Sequence, residues 1–160
     1  MKHLLTILSF ILITSCVSTE GIVDPKYNHM VPDDTNVITI STDFTADSLY
    51  NLAQKELLRS GHRLDNYDAD LKTITTEGKS VGESTFARYT LFIEGNKLTG
   101  RVDWRAGQEA TAMASAFSGI DVDSSWEPAA WSNGRPKRAF ASLIAFMDGI
   151  PHSNKKFVKE

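Results

Sequence analysis

Residues 84–105 read STFARYTLFIEGNKLTGRVDWR, and they contain the strongest strand pattern in the sequence. Apolar and polar side chains alternate in its first half, which is the period of a β-strand with one buried face. The apolar face carries Ala87, Tyr89, Leu91 and Ile93, and the returning half adds Leu98, Val102 and Trp104. Gly95 and Asn96 stand between the halves and suit a tight turn. The stretch therefore predicts an antiparallel hairpin with one face in the core.

An amphipathic helix is predicted on each side of this hairpin. In the first helix Thr45 is the predicted N-cap, and Gly61 ends the helix in the left-handed conformation that glycine tolerates. Its apolar stripe consists of Ala46, Leu49, Leu52, Ala53 and Leu57. In the second helix Pro136 suits the first turn, and Gly149 marks the end. Its stripe consists of Phe140, Leu143, Ile144 and Met147.

The order of these elements predicts an α+β fold. Residues 36–42 (NVITIST) form a short strand, and residues 62–67 with 71–78 form two strand pieces or one irregular strand. The predicted order is β-α-β-β-β-α. One apolar face per strand and one stripe per helix predict a two-layer antiparallel sheet with two helices packed on one face. Residues 106–134 have no clean period, and hold either a short helix near 108–117 or a long loop.

The first residues of the chain predict an export signal. Lys2 and His3 precede an apolar segment from Leu4 to Ile13. That segment is too short to cross a bilayer as a helix, which needs about 20 residues. One alternative is an ordinary secretory signal that happens to end at Cys16.

The residues Ile13-Thr14-Ser15-Cys16 resemble the lipobox of bacterial lipoproteins. The resemblance implies that the chain is cut before Cys16 and that the Cys16 thiol carries a diacylglyceryl group. For a Gram-negative source, Val17 after the cysteine implies sorting to the outer membrane, facing the periplasm. Two or more acyl chains hold a protein stably on a bilayer, whereas one chain binds reversibly.

The sequence divides into four parts on this interpretation. Residues 1–15 are the signal peptide, 16–35 the lipidated N-terminus and a flexible tether, 36–150 the α+β domain, and 151–160 a polar tail. In element order alone, the domain resembles the helix-grip modules of some envelope lipoproteins, such as the C component of the β-barrel assembly machinery.

Composition and motifs exclude several classes of function. A net charge of −3 argues against a nucleic-acid partner, because nucleic acids bind basic protein surfaces. The single cysteine cannot form an internal disulfide. The chain has no G-x-S-x-G, P-loop, G-x-G-x-x-G or H-E-x-x-H motif. We therefore expect no enzyme activity, no catalytic residues and no cofactor.

Two clusters of polar residues are candidates for a metal site. His62 is followed by Asp65, Asp68 and Asp70, although the composition of that stretch is typical of a solvated turn. Residues 121–125 (DVDSS) are similar to the start of a calcium loop, but Trp126 and Ser132 stand where that loop needs glycine and glutamate. We predict no metal site at either place.

Trp126 and Trp131 are the predicted contact residues for a protein partner. They lie in the least regular part of the chain, and tryptophan contributes strongly to interface energies. The alternative is that both rings pack over the sheet as part of the core. A second candidate is the polar face of the hairpin, where cross-strand charge pairing is a sufficient explanation. That face carries Arg88, Thr90, Thr99, Arg101 and Asp103.

The function that these patterns favour is a lipid-anchored envelope lipoprotein without catalytic activity. It would serve as a binding or assembly accessory at the outer membrane, with an envelope protein as partner. One alternative is an envelope hydrolase or small-ligand-binding lipoprotein, which would require His62 and two nearby aspartates to converge in a pocket. The other is a purely structural surface lipoprotein.

Overall fold

The computed structural model describes residues 19, 21–118 and 125–160. In chain order its elements are α1 (Tyr27–Met30), β1 (Val37–Ser41), α2 (Ala46–Arg59), β2 (Leu64–Asp68), β3 (Thr73–Thr76), β4 (Lys79–Ser80), β5 (Thr85–Glu94), β6 (Lys97–Ala106), α3 (Gln108–Ser118), β7 (Glu127–Pro128), α4 (Gly134–Asp148) and β8 (Asn154–Val158). Cys16, the predicted signal segment 1–15 and the two aspartates of the DVDSS stretch lie outside the described residues.

The strands form an antiparallel sheet that has eight strands within the described part of the chain. The order across the sheet is β2-β3-β5-β6-β1-β8, with β4 paired to β5 and β7 paired to β6. The α+β class predicted from the sequence is confirmed. The sheet has four more strands than the predicted order, because residues 64–76 form two strands instead of one and three short or polar segments also pair.

The hairpin of β5 and β6 lies at the centre of the sheet and has the predicted register. Glu94 pairs with Lys97 across the Gly95–Asn96 turn, and the pairing continues to Thr85 and Ala106. Its buried face carries the predicted apolar residues, with Leu91 and Leu98 fully buried. Helix α4 packs on this face at Gly100, where an added Cβ would lie 2.3 Å from Cε of Met147. Glycine is therefore needed there for the helix to approach the strand.

Both predicted helices begin and end as expected. The Thr45 hydroxyl accepts a hydrogen bond from the Ser48 amide (3.4 Å), and Gly61 follows α2 with a φ of +80°. Pro136 lies in the first turn of α4, and the four residues of its predicted stripe are fully buried. The segments flanking residues 69–72 form two separate strands, β2 and β3, which was one of the two alternatives.

The prediction that residues 151–160 form a polar tail is wrong. Residues 154–158 form β8, which pairs with β1 from Val37–Val158 to Ser41–Asn154. Phe157 packs against the core, while Lys156 and Val158 are exposed. An edge strand with lysines suits this position, because charge on an edge discourages pairing with other chains. Only pairing with β1, distant in sequence, makes this short segment a strand.

Part of the segment predicted as a tether, residues 16–35, packs on the folded domain. Within its described part, Tyr27 and Val31 are buried in the core, and Ile22 and Val23 pack against it. The Tyr27 hydroxyl donates to the Asp148 carboxylate (2.8 Å), which fixes α1 to the end of α4. Burial and this carboxylate raise the pKa of Tyr27 to about 12. Within residues 21–118 and 125–160, every helix is too short or too polar to span a bilayer.

Candidate binding site: the Trp126 surface

The ring of Trp126 lies against the face of the β5–β6 hairpin opposite the core. The short strand β7 places it there, because Glu127 pairs with Trp104 and Pro128 pairs with Asp103 of β6. The indole rests on the backbone of Gly78, where an added Cβ would come within 2.5 Å of the ring. Trp126 as a whole is partly buried.

Two arginines of the hairpin lie over this ring. The guanidinium carbons of Arg88 and Arg105 are each 4.8 Å from the Trp126 ring centroid. Arg105 is also 5.6 Å from the centroid of Phe86, its cross-strand partner. A cation over an aromatic face is stabilised by about 0.5–1 kcal/mol at exposed sites and by more when water is excluded. We call Phe86, Arg88, Arg105 and Trp126 the Trp126 surface.

The two arginines differ in their electrostatic environment. Arg88 Nε donates to Asp103 Oδ2 at 3.0 Å, as the predicted cross-strand charge pairing requires. Arg105 forms no ion pair with any carboxylate in the described part of the chain. The Arg105 guanidinium contacts two aromatic rings. These contacts leave its N–H groups available as donors. A guanidinium in this state is suited to bind a carboxylate with two parallel hydrogen bonds.

A cavity of about 500 Å³ lies beside Arg105. It is lined by the turn before β5, the end of β6 and the start of α3, and includes Ser84, Phe86, Arg105, Gly107 and Glu109. Gly107 lies close to the turn before β5, because its amide donates to the Ser84 carbonyl (2.7 Å). An added Cβ at Gly107 would lie 3.3 Å from Phe86, so glycine suits this close approach. The size falls within the range of small-ligand and side-chain pockets, about 300–1,000 Å³.

The edge of this cavity is formed by a turn in an unusual conformation. Gly82, Glu83 and Ser84 have φ values of +90°, +49° and +51°. Arg138 of α4 holds the turn by donating from Nε to the Val81 carbonyl (2.8 Å) and from Nη1 to Glu83 (3.0 Å). Left-handed conformations at non-glycine residues cost free energy and persist only where surrounding contacts enforce them. The Arg138 contacts provide that enforcement.

The structure separates the two tryptophans that the sequence grouped together. Trp131 is 1% exposed and packs edge-on against Phe140, with ring centroids 6.4 Å apart. Its backbone amide also donates to the Thr35 carbonyl (2.7 Å), so it joins the N-terminal segment to the core. Trp131 therefore occupies the core position that was the alternative to partner contact. Trp126 keeps the accessible position, and its role in binding stays a prediction.

The His62 and aspartate candidates for a metal site do not come together. His62 is buried and stacks on Tyr89 with ring centroids 4.5 Å apart. Asp65, Asp68 and Asp70 lie on β2 and its following turn, where Asp68 accepts hydrogen bonds from the amides of residues 70 and 71. No group of metal-ligating side chains forms within the described ranges.

Sequence reasoning missed Arg105 and Phe86 as parts of the site. The signal for both was present in the hairpin register. A two-residue turn at Gly95–Asn96 pairs residue 86 with residue 105 on the polar face, next to the pair of Arg88 and Asp103. Counting from the turn would have placed an aromatic side chain and two arginines together.

A scan against protein-family models gives no match, and no curated protein matches the sequence.

Proposed function

We propose that this chain is a lipid-anchored envelope lipoprotein without catalytic activity, and that the Trp126 surface binds an envelope protein. The partner presents a carboxylate to Arg105 and an apolar side chain to Trp126. The observation that carries the proposal is the state of Arg105, a guanidinium that stacks on two rings beside a cavity with no carboxylate partner in the described chain. Tryptophan and arginine are the residue types most enriched in interface hot spots.

The arrangement of helices supports this choice of face. In the proposed architecture α2 and α4 form one layer over the buried face of the hairpin, and the opposite face stays open. Contacts of α4 with β5 and β6, and of α2 with β5, agree with such a layer. The Trp126 surface would then lie on the open side, where a partner can approach without displacing a helix.

The membrane anchor in this proposal is the acylated Cys16. Because Gly21 and Ile22 already contact the domain, five residue steps connect the anchor to the folded part. Five extended residues span about 17 Å at most. The domain would therefore sit close to the bilayer and meet partners that lie at or near the membrane surface.

The anchor is tested by metabolic labelling with an alkyne analogue of palmitate. The wild-type chain should incorporate the label and float with membranes. The Cys16→Ser variant should lose the label completely, whereas Ser15→Ala should keep it because alanine suits the small position of the lipobox. Label that persists in Cys16→Ser would overturn the anchor.

The partner surface is tested by crosslinking in intact cells followed by purification of the chain. Trp126→Ala and Arg105→Gln should each reduce recovery of the same envelope protein at least fivefold. Arg105→Lys is the matched variant, since lysine keeps the charge but lacks the planar pair of donors. Thermal unfolding should show that these variants remain folded. Equal recovery with all variants would refute the surface.

A further inference from the structure

The strands at the two ends of the sheet, β2 and β8, each have one edge that pairs with no strand in the described part of the chain. β2 pairs with β3 alone, and β8 pairs with β1 alone. The backbone N–H and C=O groups along such an edge can pair with a strand of another chain. Both strands are five residues long, Leu64–Asp68 and Asn154–Val158, so the two free edges match in length.

The directions of these strands allow one copy of the chain to continue the sheet of another. The path β2-β3-β5-β6-β1-β8 contains six strands, and each neighbouring pair is antiparallel. β2 and β8 therefore run in opposite directions. When a second copy lies beside the first with its sheet facing the same way, its β2 is antiparallel to β8 of the first copy. The buried faces of the two sheets then lie on the same side.

The two free edges carry opposite charge. Asp65 and Asp68 lie on β2, and Lys155 and Lys156 lie on β8. Lys155 pairs with Asp148, whereas Asp65, Asp68 and Lys156 form no ion pair within the described residues. The lysines of β8 discourage pairing with a second β8. An acidic edge is the exception, because opposite charges directly across a strand pair are stabilising and like charges are destabilising.

One register of β2 against β8 matches both faces of the joined sheet. Phe157 and Tyr67 lie on the core side of their strands, because each pairs with a buried isoleucine of the neighbouring strand. Placing Tyr67 opposite Phe157 puts Asp68 opposite Lys156 on the other face. Tyr67 is 61% exposed in the single chain, so this register covers an exposed ring and forms a cross-strand aromatic pair. A shift of two residues in either direction loses both the aromatic pair and the charge pair.

We infer that copies of this chain join head to tail, with β8 of one copy paired antiparallel to β2 of the next. Tyr67 then lies opposite Phe157, and Asp68 lies opposite Lys156. Because the two contacting edges differ, the contact is heterologous and forms closed rings or open rows of copies. A contact of β2 with β2, or of β8 with β8, would instead bring like charges together. The head-to-tail contact needs neither the lipid anchor nor the Trp126 surface.

Disulfide trapping between two differently tagged forms of the full-length chain tests this contact. Asn66 and Val158 are both exposed and lie opposite each other in the inferred register. The Asn66→Cys form and the Val158→Cys form are purified separately, mixed and oxidised. Mass spectrometry then identifies the linked positions, so links through Cys16 are recognised as such. We expect a link between positions 66 and 158 on different tags, and oxidation traps it even where the contact is short-lived.

Three control mixtures show which edges meet. Two Asn66→Cys forms, or two Val158→Cys forms, should give only a background of linked product. Lys55→Cys mixed with Val158→Cys measures random collision, because Lys55 is exposed on helix α2. A 66–158 link no stronger than this background would overturn the inference. Predominant 66–66 or 158–158 links would overturn it as well, because they would show that like edges pair.

An exchange of charges tests the register. Lys156→Glu in the Val158→Cys form places two acids opposite each other and should reduce the 66–158 link about fivefold or more. Asp68→Lys in the Asn66→Cys form should restore the link to that variant. Lys55→Glu, the same change in charge on helix α2, should leave the link unchanged. A link that is unaffected by Lys156→Glu would overturn the pairing of Asp68 with Lys156. The trapping mixtures keep Asp68 and Lys156 intact, so they decide which edges pair even where a charge variant unfolds.

Discussion

Replacing His62 with phenylalanine should change how the stability of the protein depends on pH. In the folded protein the pKa of His62 is about 4, against an ordinary value of 6.5. The main cause is burial, which removes the charged imidazolium from water, and the Lys79 charge adds to it. Because the folded pKa is depressed, the unfolded chain takes up the proton first as the pH falls.

The magnitude follows from the size of this shift. Above pH 6.5 the histidine is neutral in both states and contributes no pH dependence. Between pH 6.5 and 4 the unfolded chain binds more protons, so the free energy of unfolding falls by about 1.4 kcal/mol per pH unit. The loss attributable to His62 therefore totals about 3 kcal/mol, and below pH 4 it grows no further.

Urea unfolding at half-unit steps from pH 7.5 to 4 measures this directly. Carboxylates titrate in the same range, so the informative quantity is wild type minus His62→Phe at each pH. We expect that difference to fall by about 3 kcal/mol across the window, all of it below pH 6.5. An NMR titration of the His62 ring should give a midpoint near 4. Parallel stability curves, or a midpoint near 6.5, would refute the account of a buried neutral histidine.

Three other substitutions test separate parts of the fold. Trp131→Ala should lower the free energy of unfolding by about 3–5 kcal/mol, because it empties a core position; a loss under 1 kcal/mol in urea unfolding would contradict its burial. Gly82→Ala should cost about 1–3 kcal/mol, because φ is +90° and the new methyl group would meet Arg138 at 2.5 Å; an unchanged melting temperature would argue against that turn. Thr45→Ala should cost about 1 kcal/mol and Thr45→Ser much less, because only alanine removes the bond from the Ser48 amide; equal losses would exclude the cap.

Local patterns were enough to predict the central hairpin and the two long helices. The alternation in residues 84–105 sets which side chains are buried, and the turn at Gly95–Asn96 sets the register. The N-cap at Thr45 and the glycine at position 61 set the two ends of α2, and neither signal depends on the rest of the chain. Such signals are read from neighbours in sequence, and the structure agrees with them.

Contacts between segments that are far apart in the chain could not be predicted from the sequence. Tyr27 looked like part of a tether because its partner Asp148 is 121 residues away. Residues 154–158 looked like a polar tail because only β1 makes them a strand. Trp126 and Trp131 looked equivalent, and the pairing of β7 with β6 decides which of them meets solvent. In each case tertiary pairing outweighs local composition.

The central claim is that a partner binds at the Trp126 surface, and site-specific photocrosslinking tests it most directly. A photoreactive residue in place of Glu109 would lie at an exposed position that lines the cavity beside Arg105, and the same residue in place of Lys156 would lie at an exposed position on the edge strand β8. In intact cells the Glu109 position should crosslink to one envelope protein, and adding Trp126→Ala or Arg105→Gln should abolish that adduct. The Lys156 position should give no adduct with that protein. An adduct that survives both substitutions, or one that forms equally from both positions, would contradict the claim.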